Sequence, residues 1–184
     1  MADLLREAQD LRRELEGVDG YLRTDTAERV GDLLLRAQQA RPEDRVLQAV
    51  GPAGKMPSAE PHSPNLDPSF ADMRGLSARA ELGQVEAACE NASVHDRVCR
   101  LRRSLGGESG ALPKRIRSMF DALMKWAREE LPDRERLEVI AEPEPDPDRT
   151  ELSELSYGEA EATLGLVECE LEHEHADAGR GSHA

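Results

Sequence analysis

Two places in this sequence bring together side chains that can hold a metal or move a proton. Cys169, His173 and His175 stand close together. In an extended segment all three face one way, with Leu171 between them. In a helix, Cys169 and His173 lie one turn apart. Either geometry offers a thiolate and imidazoles to zinc, nickel or copper, so one reading is a weak metal-binding protein using this triplet. The spacing matches no zinc-finger pattern. The second place is His95 and Cys99, four residues apart, which a helix brings together. Arg97, Arg100, Arg102 and Arg103 crowd around Cys99, and their charges would lower its pKa and favour a reactive thiolate. A nucleophilic pair needs a third group to orient it, and the sequence offers no evident one. No catalytic residue is therefore assigned, the chain is read as a non-enzyme, and no cofactor is expected.

A third cluster is purely electrostatic. Arg97, Arg100, Arg102, Arg103, Lys114, Arg115 and Arg117 straddle the turn Gly106-Gly107-Glu108-Ser109-Gly110. A basic helix pair of this kind can contact phosphates, which makes a nucleic-acid-binding regulator the alternative function. The turn is longer than that of a helix-turn-helix unit, and no aromatic platform for single strands is interleaved.

These residues need elements to hold them, and the apolar spacing is helical. Leu4, Ala8, Leu11, Leu15 and Val18 recur at steps of four and three, with Gly17 and Gly20 at the end of the run. A second helix is expected over 25–40, capped by Thr24 or Thr26, with Val30, Leu33, Leu34 and Ala37 on one face and Arg41-Pro42 as its stop. A short helix over 43–50 follows. Residues 51–68 are rich in Pro and Gly and read as an extended linker. Helical spacing resumes over 70–90. Asn91-Ala92-Ser93 breaks it, and Ser93 with Asp96 caps a helix carrying Val94, Val98, Leu101 and Leu105. After the glycine turn, Pro113 opens a helix that Pro132 closes.

Beyond Pro132 the pattern changes. Residues 136–142 and 163–172 alternate in part at period two and read as two short strands, separated by the charged proline spacer 142–148 and a short helix over 151–156. No repeat of tetratricopeptide length recurs. The expected organisation is an N-terminal α-hairpin over 1–50, a linker over 51–68, a helical unit over 69–131 with the basic pair, and an acidic, partly disordered tail over 132–184. The fold class is mainly α: two small helical units joined by a Pro/Gly-rich linker, with the two short β-strands in the tail.

Composition bounds the function. The chain has 184 residues, 34 % charged and only 3 % aromatic, so its core must be built from Leu, Val, Ala and Met. Residues 129–184 hold 18 acids against 4 bases, which equals the whole net charge of −14. Such a balance disfavours non-specific binding to nucleic acid or anionic membrane by the intact chain, although an acidic tail can mask a basic helix pair and act as an autoinhibitor. No run is long and apolar enough for a membrane span, no secretory leader is evident, and three cysteines suggest reduced thiols, so a cytoplasmic protein is expected. The leading expectation is a helical adaptor or assembly factor that binds a protein partner or a second copy of itself through leucine-rich, coiled-coil-like faces. The anchors are Leu4, Leu11, Leu15, Val30, Leu33 and Leu34.

Overall fold

The computed structural model describes residues 1–50, 73–131 and 155–180, with side chains as far as His173. The described residues form seven helices: α1 (Ala2–Glu14), α2 (Thr24–Ala40), α3 (Arg45–Ala49), α4 (Gly75–Cys89), α5 (Val94–Leu105), α6 (Lys114–Glu130) and α7 (Tyr157–Arg180). The protein is mainly α, and no helix among the described residues is long and apolar enough to cross a membrane. The linker expected over 51–68 lies outside the described residues.

The chain divides into two compact units at Ala92/Ser93. This differs from the division expected at residue 69, because α4 packs with the N-terminal helices α1, α2 and α3. In the first unit, Ala8, Leu11 and Leu15 of α1 meet Ala27, Val30, Leu33, Leu34 and Ala37 of α2 and Ala78, Leu82, Val85 and Ala88 of α4 in one core. The turn after α1 needs glycine at Gly17, whose φ of +78° lies in the left-handed region. Neither Thr24 nor Thr26 caps α2; Arg23 holds that position without a side-chain cap. Arg79 of α4 ties that helix to the end of α1, its Nη1 donating to Leu15 O at 2.9 Å and Val18 O at 2.8 Å. Arg41, just past α2, closes the other end of α4 by donating to Ala88 O at 2.9 Å.

In the second unit, α5 packs on α6 and α7. Ser93 caps α5 as its spacing with Asp96 predicts, accepting from Asp96 N at 3.1 Å. The tail departs from expectation. Residues 163–172 are helix, not strand, and lie inside α7. Ser156 begins that helix with a reciprocal box: its N–H donates to Glu159 Oε2 at 2.9 Å and its Oγ accepts from Glu159 N at 3.2 Å. The apolar residues Ala160, Leu164, Val167 and Leu171 are all buried at steps of four and three, so the 3.6-residue period outweighs the short alternation Val167-Cys169-Leu171. Ser156 therefore caps α7, and residues 151–154 of the short helix expected over 151–156 lie outside the described residues. The other expected strand, 136–142, lies outside the described residues.

The two units share one plan. Leu11-Arg12-Arg13-Glu14-Leu15-Glu16-Gly17 in the first corresponds to Leu101-Arg102-Arg103-Ser104-Leu105-Gly106-Gly107 in the second. Gly107 is left-handed like Gly17, with φ of +84°. Leu82-Gly83-Gln84-Val85-Glu86 of α4 corresponds to Leu164-Gly165-Leu166-Val167-Glu168 of α7. The same backbone corner then pins the third helix in each. Leu22 N donates to Met73 O at 2.9 Å and Gly75 N to Gly20 O at 2.9 Å; Leu112 N donates to Leu155 O at 2.7 Å and Tyr157 N to Gly110 O at 3.0 Å. These corners form isolated bridges, Tyr21 with Arg74 and Ala111 with Ser156.

Candidate functional site

On α5, His95, Cys99 and Arg102 sit at i, i+4 and i+7, one stripe of the helix. That stripe faces α7, where Glu168 lies between Leu164 and Leu171 on the packed side. The Cys99 thiol donates to Glu168 Oε1 at 3.0 Å, and Arg102 Nη1 donates to Glu168 Oε2 at 2.7 Å. His95 Nε2 stands 3.7 Å from Cys99 Sγ and 3.6 Å from Glu172 Oε1. The three groups of His95, Cys99 and Glu168 lie within 4.8 Å of one another. Arg102 reaches the carboxylate by passing over Gly165, where a Cβ would stand 3.1 Å from its Cζ.

The electrostatics of the site reverse the sequence expectation for Cys99. Burial, and then the hydrogen bond to Glu168 and its negative charge, push the thiol up to about 12. The arginines were expected to do the opposite. Arg103 does pull the pKa down, but it is exposed, while Arg102 spends its charge on Glu168. Glu168 in turn is held below the usual carboxylate range by the Cys99 hydrogen bond and by Arg102. At neutral pH the site is thus a protonated thiol on an ionised carboxylate, not a poised nucleophile. Thiol, imidazole and carboxylate together are a donor set suited to a borderline-soft divalent ion.

The first unit provides an internal comparison. Arg12 Nη1 meets Glu86 Oε2 at 2.9 Å, so the arginine–glutamate pair belongs to the shared plan. The positions corresponding to His95 and Cys99 are Leu5 and Gln9. At these corresponding positions the metal-capable groups are therefore present in the second unit and not in the first. The first unit has its own addition at the backbone corner: Tyr21 is 60 % exposed, with the Arg74 guanidinium 5.1 Å from its ring centroid. Ala111 and Ser156 occupy the corresponding positions of the second unit.

The residues singled out from the sequence fall in different places. Leu11, Leu15, Val30, Leu33 and Leu34 are buried in the core of the first unit, with Leu4 packed partly buried against it. Their stripes are closed by the chain's own helices. Among the basic residues, Arg97 is buried against the Trp126 ring at 5.4 Å and Arg102 is paired with Glu168. Arg103, Lys114 and Arg117 are exposed, and Arg100 and Arg115 are half-buried. Cys169 and His173 are exposed on α7, one turn apart, while the His175 side chain lies outside the described residues. Sequence reasoning found the His95–Cys99 pair but missed Glu168. The duplicated segments ending in Val85-Glu86 and Val167-Glu168, read with the repeated Leu-Arg-Arg, were the available signal. No family model, curated protein or solved structure matches the chain.

Proposed function

We propose that this chain is a non-enzymatic helical interaction module, an adaptor or regulatory factor that engages a protein partner through side chains outside its two cores. The carrying observation is the Tyr21–Arg74 pair, an exposed ring and guanidinium stacked at 5.1 Å on a backbone corner pinned by two hydrogen bonds. Tyrosine and arginine dominate interface energetics. Holding them in place before binding reduces the ordering cost of association. Two further features support the reading. Both units follow one plan yet differ at this corner, as expected of a scaffold whose copies carry separate surfaces. The leucine stripes close each unit, so the partner meets the pinned corner and not an open helix face. Three cysteines without a disulfide fit a reducing, cytoplasmic setting.

The test is quantitative recovery of crosslinked partners by the wild-type protein and by a Tyr21→Ser/Arg74→Ser variant of equal helicity. The reading expects a discrete set of proteins to be lost with the variant. Identical sets from both proteins would overturn it.

A further inference from the structure

We propose that His95, Cys99 and Glu168 form a zinc site between α5 and α7 of the second unit. Zinc takes thiolate at about 2.3 Å and imidazole nitrogen at about 2.0–2.1 Å in a tetrahedron, which sets the two donor atoms roughly 3.6 Å apart. His95 Nε2 and Cys99 Sγ already stand 3.7 Å apart. Glu168 Oε1 faces the same sulfur at 3.0 Å, a hydrogen-bond separation that opens by roughly half an ångström when a metal replaces the proton. The other carboxylate oxygen is already held by Arg102, the kind of outer-shell contact that orients a ligating carboxylate. One thiolate, one imidazole and one carboxylate leave a fourth position for water or for Glu172, whose Oε1 lies 3.6 Å from His95 Nε2.

The comparison within the chain strengthens the assignment. The arginine–glutamate pair belongs to the shared plan, since the first unit has Arg12–Glu86, with Leu5 and Gln9 at the positions of His95 and Cys99. Histidine and cysteine are added to that pair in the second unit alone, on the stripe that faces the carboxylate. On binding, the Cys99 S–H bond breaks, a Zn–S bond forms, and the proton passes to solvent. No oxidant or reductant is involved. Because two ligands come from α5 and one from α7, the ion also ties the C-terminal helix to its unit and stabilises the folded state by mass action.

The experiment uses the full chain, stripped with chelator, titrated with zinc against a fluorescent competitor and with cobalt(II) as a spectroscopic stand-in. The wild-type protein is expected to take one zinc per chain, to show a thiolate-to-cobalt charge-transfer band with tetrahedral visible bands, and to melt at a higher temperature with zinc. His95→Leu and Cys99→Gln install the residues that the first unit carries, which keeps the packing plausible; circular dichroism checks their helicity. Removal of a ligand exceeds the 10–100-fold cost of an outer-shell change, so each variant is expected to lose at least about 100-fold in affinity. It is also expected to lose the zinc-dependent rise in melting temperature. A Cys169→Ser/His173→Ala double variant is expected to bind as the wild type does. Absence of stoichiometric zinc binding, a cobalt complex without the thiolate band, or loss that follows Cys169 and His173 instead of His95 and Cys99 would each overturn the proposal.

Discussion

Cys99 Sγ lies 3.0 Å from Glu168 Oε1, so a buried thiol keeps its proton by donating it to a carboxylate from another helix. The folded thiol is pushed up to about 12 from an ordinary 9.0, first by burial and then by that hydrogen bond. Between these values the unfolded chain has already lost the proton that the folded chain retains, so stability is fully present below pH 9 and declines as pH rises toward 12. In chelator-treated protein, the urea midpoint of the wild type is expected to fall more steeply over this window than that of Cys99→Ala. Parallel slopes for the two proteins would show that the thiol does not titrate this way.

Leu33 is fully buried in the first unit's core. Placing an unpaired carboxylate there costs more than about 4 kcal/mol, so Leu33→Asp is expected to lose the helicity of that unit. An open docking stripe would give a different result, with helicity intact and only binding lost. Circular dichroism separates the two.

Gly75 opens α4 where the chain passes close to the end of α1. A Cβ there would stand 2.1 Å from Val18 O. The contact is with backbone, which cannot swing aside, so Gly75→Ala is expected to destabilise by about 2 kcal/mol or more. Gly83→Ala, on the same helix with open space at its Cβ, is expected to be neutral or slightly stabilising. Thermal denaturation of the pair checks this; equal midpoints would count against the close approach.

Arg79 donates to both Leu15 O and Val18 O past the last turn of α1. Hydrogen bonds from a charged group to such carbonyls contribute roughly 1.5–3 kcal/mol, so Arg79→Met is expected to lower stability by about that amount. Arg13→Met removes only an exposed contact with Asp10, 2.9 Å away, and is expected to change little. Amide hydrogen exchange is expected to localise the Arg79→Met loss to the end of α1.

The local character of the chain was legible in its residues. Leucine and alanine at steps of three and four specified α1, α2, α5 and α6 close to their observed ends, because helix periodicity depends only on neighbours within two turns. Gly17, Gly107 and Ser93 marked ends and beginnings for the same reason. Where local signals competed, the reading failed. The alternation at 167–172 resembles a strand, but Val167 and Leu171 are also four apart, and burial against α5 favours the helix. The charge of Arg102 beside Cys99 was visible; its commitment to Glu168 was not.

Sequence alone thus determined that the chain is helical, that its cores are aliphatic, and that His95 and Cys99 share a face. Tertiary packing decided that the leucine stripes are sealed within the first unit, and that Glu168 reaches the thiol. It also decided that each arginine–glutamate pair joins two helices distant along the chain. The physical reason is range: a helix forms from bonds between residues four apart, whereas the partner of a helix face depends on which other face fills it at close-packed density, and no local spacing encodes that choice.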